Sequence, residues 1–247
     1  MEPELASLLP AIYRNGRVAT AVYAISPERA RAAVTRLELH PIELPGHRSI
    51  AVVCCFDYLE TSLGPYRELA IGVVVSPKRR VGPPRGLDLL SPHPDTGGWL
   101  LTLPVSSQLA CRGGVELFGY PKIVSDLRVE HPSKQCTCVV EDNSQQVFKT
   151  TFRLGWGPQF PVRSFVTYTE KDGQLLKTRV ETQWRVTLSS GRGTTLEVAN
   201  SAHPVCQAAQ ELGLPNTPLF VLHGDHFGAI LRPAEPIAGS SWLGQPR

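Results

Sequence analysis

No run in the sequence approaches the ~20 consecutive apolar residues needed to cross a bilayer as a helix, which excludes a protein anchored by membrane-spanning helices. The opening stretch MEPELASLLPAIYRNGR lacks a basic segment leading into an apolar one, so no secretory signal is expected. Six cysteines are present (Cys54, Cys55, Cys111, Cys136, Cys138, Cys206), yet none forms a C-x-x-C pair and no Cys/His group has zinc-finger spacing. Cys54 and Cys55 fall within a strand-like run, where a small buried hydrophobe accounts for them. A soluble protein of a reducing compartment follows, most simply the cytoplasm. Charge of one sign is also scarce: the net charge is +3 and the 25 Lys and Arg are scattered. Their densest cluster, SPKRRVGPPRG (76–86), has no aromatic side chains interleaved to stack on bases, so it reads as a solvated loop and not as a nucleic-acid surface. Internal repeats are absent, as is low complexity outside a Pro/Gly-rich stretch at 76–98.

What is present is enough for a sizeable core: 247 residues, 42% of them hydrophobic. Helix signals are few. SPERARAAVTRL (26–37) offers Ser26 as N-cap and Pro27 at the first helical position. SSQLACRGGVELF (106–118) has a capping Ser106 or Ser107 but carries Gly113 and Gly114, which weaken a helix by about 1 kcal/mol each. SAHPVCQAAQELG (201–213) stops at Gly213.

The rest alternates or runs apolar and β-branched, as in RVATAVYAI, SIAVVCCFDY, YRELAIGVVV and WLLTLPV, then KIVSDLRVEH, QCTCVVED and QQVFKTTFRL. Later segments at about 162–170, 175–188 and 194–199 behave alike, with Asn143–Ser144 and KDG (171–173) as turns. Many strands and three helices predict an α+β, mainly β fold: a curled or closed, barrel-like antiparallel sheet with peripheral helices. The stretch 76–98 is read as a long loop, because a domain of only ~75 residues before it would be small. One domain over 1–247 is therefore expected.

Lys122 stands out. It follows an aromatic–Pro turn and leads into a half-buried strand in GVELFGYPKIVSDL (114–127). A free lysine titrates at about 10.4, so near pH 7 few molecules carry the neutral amine that attacks a carbonyl. Loss of water or a nearby cation lowers that value by penalising the ammonium. Phe118, Tyr120, Ile123 and Val124 supply an apolar wall for this, and Pro121 fixes the approach of the chain. On composition alone, a strand-edge lysine snorkelling to solvent is the competing reading.

The segment ELFGYPKI (116–123) resembles the lysine motif of the acetoacetate decarboxylase family, in which Glu, an aromatic and Pro precede the Schiff-base lysine. LGPYRE (63–68) is similar to that family's Gly-x-Tyr-x-Glu segment. TAVYAISPERARAAV and HPVCQAAQELGL resemble its N-terminal and C-terminal stretches, so the likeness runs from about residue 12 to about 235. Acetoacetate decarboxylase is itself the standing example of a lysine activated by its surroundings.

The resemblance implies Lys122 as Schiff-base lysine and Glu68 as active-site carboxylate. It places Glu116 at a motif position that caps or orients the lysine segment, and Phe118 and Tyr120 beside the substrate. The family's first-strand arginine falls at Gly16, one residue from Arg17, which is held as a substrate-binding candidate. Two departures stand out. Ile123 occupies the place of a second lysine, and an ungapped count puts Val53 where a further glutamate is expected.

The implied activity is a lyase forming an imine with a small oxo acid, by decarboxylation or by aldol- or dehydration-type chemistry. Neither metal nor organic cofactor is implied, and the expected partners are a small carbonyl substrate and further copies in a homo-oligomer. A small-molecule-binding barrel that has kept the fold and lost the chemistry is the alternative. Other constellations carry less. His223, Asp225 and His226 in LHGDHFG sit between glycines that favour a turn over a zinc-binding helix, and His203 with Cys206 lacks a third partner.

Overall fold

The computed structural model describes residues 5–78 and 95–237. Most of the 76–98 loop and of the basic cluster at 76–86 therefore lies outside the described residues. A 3-10 turn at Leu5–Leu8 precedes β1 (Ala11–Ile25), then α1 (Pro27–Ala33) and two short pairings, β2 (His40–Pro41) and β3 (Glu43–Leu44). The long strands β4 (Arg48–Thr61) and β5 (Tyr66–Ser76) follow, then β6 (Gly97–Val105), α2 (Gln108–Phe118) and a three-residue β7 (Lys122–Val124). Next come β8 (Asp126–Glu130), β9 (Gln135–Asp142), β10 (Gln145–Arg153), β11 (Gln159–Lys171), β12 (Gln174–Ser190) and β13 (Thr195–Val198). The chain continues with α3 (Pro204–Leu212), β14 (Phe220–Gly224), β15 (Gly228–Leu231) and β16 (Glu235–Pro236).

The large sheet closes on itself. β1 pairs with β4, β4 with β5 and β5 with β6, all antiparallel. β6 meets β11 in parallel, β11 and β12 form a hairpin, and β12 returns to β1 because β14 and β15 each pair with both. The expected closed, mainly antiparallel barrel is thus present, with β6–β11 and β6–β7 as parallel pairings. A second sheet, in the order β13-β10-β9-β8, shares a core with it. Val53, Leu69 and Ile71 of the barrel pack in one cluster with Leu127, Cys138 and Phe148 of the small sheet and Leu212 of α3. The alternate residues of β1, β4 and β5 face a separate cluster that contains Tyr58, Tyr66, Val105 and Phe118.

Local chemistry sets the element ends. Ser26 caps α1 as expected, but the helix stops at Ala33, short of 37: Val34 is extended, and with Thr35 it forms a β-branched pair poorly suited to continuing a helix. Ser107 caps α2, and Gly119 ends it at φ 63°. In α3 the cap is His203, whose ring accepts from the Val205 amide, so the helix starts later than 201. Cys206 donates to the Val147 carbonyl at 3.1 Å, so the two side chains serve different ends. Both expected turns occur with paired positive φ, at Asn143–Ser144 (50° and 62°) and Asp172–Gly173 (51° and 75°). These are the left-handed conformations that let a two-residue hairpin match strand twist.

Ser144 holds its left-handed backbone without glycine's freedom, which costs roughly 1–2 kcal/mol in an ordinary residue. Ser144→Gly is expected to stabilise the protein by about 0.5–1 kcal/mol after the added freedom of the unfolded chain is counted. Urea unfolding checks this, and an unchanged or lower midpoint contradicts it.

Candidate active site

Register decides what meets Lys122. β7 pairs in parallel with β6, Lys122 opposite Leu103 and Val124 opposite Val105. Val105 lies opposite Glu68 in the antiparallel β5–β6 pair, and Glu68 opposite Phe56 in β4–β5. Side chains alternate along strands and match across them. Lys122, Leu103, Val105, Glu68, Tyr66, Phe56 and Tyr58 therefore share one face. On that face the Lys122 Nζ donates to Glu68 Oε2 at 2.6 Å, with the two side chains 3% and 8% exposed. Tyr58 donates to the other carboxylate oxygen at 3.4 Å.

Aromatic rings enclose the pair. Nζ lies 5.4 Å from the Tyr66 ring centre and 5.7 Å from that of Tyr120, within reach of cation–π attraction. Phe118 stacks on Tyr120 at 5.3 Å. The Tyr13 and Tyr66 hydroxyls bond to each other at 2.9 Å, and the Tyr120 hydroxyl bonds to Thr167 at 2.9 Å. Burial raises the pKa of all four phenols (Tyr13, Tyr58, Tyr66 and Tyr120) above the ordinary value, and the Glu68 carboxylate adds to it, so they stay protonated. For Tyr120 the value is pushed up to about 12, tempered by its bond to Thr167. Cys54, on the same strand face as Phe56, is pushed up to about 11 by burial.

The approach to Lys122 explains the glycines in α2. Gly119 turns the chain at φ 63°, and the Tyr120 amide donates back to the Gly114 carbonyl, so Tyr120–Pro121–Lys122 folds over the helix. A methyl on Gly114 would stand 2.7 Å from Lys122 Cε and closer still to Cδ. The lysine stem runs across the bare backbone there, which requires glycine despite its cost within a helix. From β11, Thr169 donates to the Phe118 carbonyl and Lys171 to that of Glu116, each at 2.7 Å, fixing the end of α2. A small pocket opens onto the amine, lined among others by Ala11, Tyr13, Leu63, Gly114, Leu117 and Phe118.

Of the residues singled out in the sequence, Lys122, Glu68, Phe118 and Tyr120 come together. Glu116 and Arg17 do not. Glu116 lies on an exposed position of α2, and its backbone carbonyl accepts from Lys171. Arg17 lies opposite Asp57, across the sheet from Glu68, and pairs with Asp225 at 3.7 Å. Gly16 takes the site face in its place, because a one-residue offset reverses a strand's faces. The same rule removes Val53, which is fully buried in the core shared by the two sheets. Ile123 pairs with Pro104 and is half-buried on the side away from the amine. His223 bonds the Gly155 carbonyl at 3.0 Å, while Asp225 is turned to Arg17. Tyr13 and Tyr58 carry no signal in the sequence, and Gly114 shows there only as a weak point of its helix. The Tyr-x-Glu spacing alone places Tyr66 beside Glu68, whereas the others are brought in by strands and a helix distant in the chain.

The closed barrel thus presents a buried amine–carboxylate pair to a small pocket. The chain belongs to the acetoacetate decarboxylase (ADC) family, whose model matches residues 2–173. A search of curated protein sequences gave no match.

Solved structures show the same fold. The acetoacetate decarboxylase of Legionella pneumophila subsp. pneumophila str. Philadelphia 1 superimposes with a TM-score of 0.66 at 14% identity, over 93% of this chain and 87% of that one. The enduracididine biosynthesis enzyme MppR, complexed with pyruvate, gives 0.65 at 11% identity, over 98% and 93%. An acetoacetate decarboxylase-like enzyme from Sphingomonas wittichii RW1 gives 0.63 at 12% identity, over 92% of each chain.

Removing one partner of a buried ion pair leaves the other charge unanswered, at about 3–5 kcal/mol. Glu68→Leu is expected to lose roughly that much in urea unfolding, while Glu68→Leu with Lys122→Met recovers to within about 1 kcal/mol of the unmodified protein. Additive losses in the double variant would show that the pair is not coupled. Gly114→Ala keeps the fold, since alanine favours helix by about 1 kcal/mol, but displaces the lysine stem. The coupling between positions 68 and 122 should then fall by at least about half in that background; undiminished coupling would mean that the stem has room to move.

Proposed function

We propose that this protein is a lyase that forms a Schiff base between Lys122 and a small carbonyl compound, an oxo acid or a related aldehyde or ketone. The observation that carries this reading is the dry 2.6 Å contact between Nζ and Glu68 at the pocket. Imine formation needs an amine that can lose protons and a base within reach to take them, and Glu68 is placed for that role. The protonated imine then acts as electron sink for bond cleavage or formation at the neighbouring carbon, with Glu68 as acid or base. That chemistry asks for neither metal nor organic cofactor. Phe118 and Tyr120 are assigned to the substrate wall, whereas Arg17 and Glu116 receive no part in it.

Family membership supports decarboxylation. The neighbour MppR, solved with pyruvate and with the condensation product of pyruvate and imidazole 4-carboxaldehyde, supports aldol-type chemistry beside it. Both sheets drawing on one core support a single domain over 1–247. Among the described residues no helix is long and apolar enough to cross a membrane. The six thiols are free, in keeping with a cytoplasmic setting. Exposed Trp156 and Leu37 offer apolar surface for the proposed homo-oligomer.

Borohydride reduction with a panel of carbonyl compounds, read by intact mass and peptide mapping, tests the reading. A single adduct on Lys122, lost in Lys122→Met, is expected. Adducts spread over surface lysines, or no mass change with every compound, would instead favour the non-catalytic binding barrel. With Ile123 turned away from the amine, carbon dioxide release from acetoacetate should stay below the ~10 per second of an ordinary good enzyme.

A further inference from the structure

The charges at the pocket are, among the described residues, one amine and its carboxylate partner. Among the described residues, Lys122 is the one basic side chain that lines it, and its partner is the Glu68 carboxylate at 2.6 Å. Arg17 is on the other face of the sheet with Asp225. The rest of the described lining is glycine backbone, apolar side chains such as Leu63, Leu117 and Leu231, or phenol rings held protonated by burial. An anionic ligand entering here would bring a second negative charge to a site whose one cation is already engaged. Burying an unanswered charge is far costlier than burying a neutral polar group.

The neutral polar groups suit a carbonyl oxygen. Tyr58 donates to Glu68, and the Tyr120 hydroxyl is engaged with Thr167. In the Tyr13–Tyr66 pair one hydroxyl donates to the other, which leaves a single phenolic proton over. Tyr13 is the member that lines the pocket.

From this charge balance we infer that the site takes uncharged aldehydes and ketones, or esters, with short apolar chains in preference to oxo acids. The inference rests on the Schiff-base reading for the covalent step but concerns the charge of the ligand. The lysine ammonium and the carbonyl compound give an iminium and one water. Glu68 takes a proton from Nζ, and the freed lone pair forms the C–N bond while the carbonyl π pair moves to oxygen. That oxygen leaves as water with two of the three original ammonium protons, relayed by Glu68. The iminium keeps the third proton and the single positive charge, which Glu68 still answers. The Tyr13 hydroxyl donates to the oxygen as it departs.

Pyruvate and acetoacetate, each against its own methyl ester, test this by borohydride trapping on the full chain, normalised to trapping on free butylamine. Each ester should half-label Lys122 at a concentration at least about 10-fold below that of its acid. Acids that label as well as esters, or better, overturn the inference. Leu63→Arg, which adds a cation at the pocket wall, should shrink the difference, and an unchanged difference counts against the charge argument.

Non-reacting ligands separate this inference from the Schiff-base reading. In calorimetry, isobutyramide should bind and isobutyrate should not. That result upholds the charge preference even if nothing is trapped and the imine reading falls. Tighter binding of isobutyrate, or binding of neither, overturns the preference whatever the trapping shows.

Discussion

The contact between Lys122 and Glu68 organises this end of the molecule. Two charges taken out of water repay the loss only when they meet at close range and their remaining hydrogen-bonding capacity is met. The 2.6 Å separation meets the first condition, and Tyr58 on the second carboxylate oxygen with aromatic faces around Nζ helps to meet the second. Each surrounding feature follows from delivering those two atoms to one point. The β5–β6–β7 register puts both on the same face. Gly119 turns the chain back over α2, and Gly114 leaves room for the lysine stem. Thr169 and Lys171 hold the helix end from β11, the neighbour of β6.

Alternation along the barrel strands separates stability from chemistry. One face of β4 and β5, with Val53, Cys55, Leu69 and Ile71, is committed to the core shared with the small sheet. The other, with Phe56, Tyr58, Tyr66 and Glu68, is committed to the amine and its walls. A substitution on the first face acts on folding alone, whereas one on the second reaches the surroundings of the amine as well as stability. This changes the meaning of the sequence departures. Val53 packs in the shared core and marks no gap in the pocket, and Ile123 leaves the amine's side of β7 untouched.

The structures that share this fold do so at 11–14% identity in the three comparisons described, so likeness of backbone outlasts likeness of side chains. Fold alone does not fix a reaction. Among the described residues the polar groups gathered around the lysine are phenols and the Glu68 carboxylate, and that local inventory is what the proposed chemistry has to use.

The sequence by itself determined the mainly β architecture, because alternating β-branched residues and two-residue turns such as Asn143–Ser144 are short-range signals. It also pointed to Lys122 and Glu68, since the Gly–Tyr–Pro approach and the Tyr-x-Glu spacing that resemble the family's motifs are each contiguous in the chain. Helix ends were less legible: α1 stops at Ala33 because Val34 leaves the helix, a local contest that periodicity does not resolve. Only the tertiary structure decided which face each strand residue takes. Pairing register between distant strands sends Arg17 to Asp225, leaves Gly16 on the Glu68 face and buries Val53 in the shared core. It likewise brings Tyr13, Tyr58 and Gly114 to the lysine from separate parts of the chain. A one-residue change in register exchanges the two faces of a strand, and no spacing within a single segment records which of them the barrel will choose.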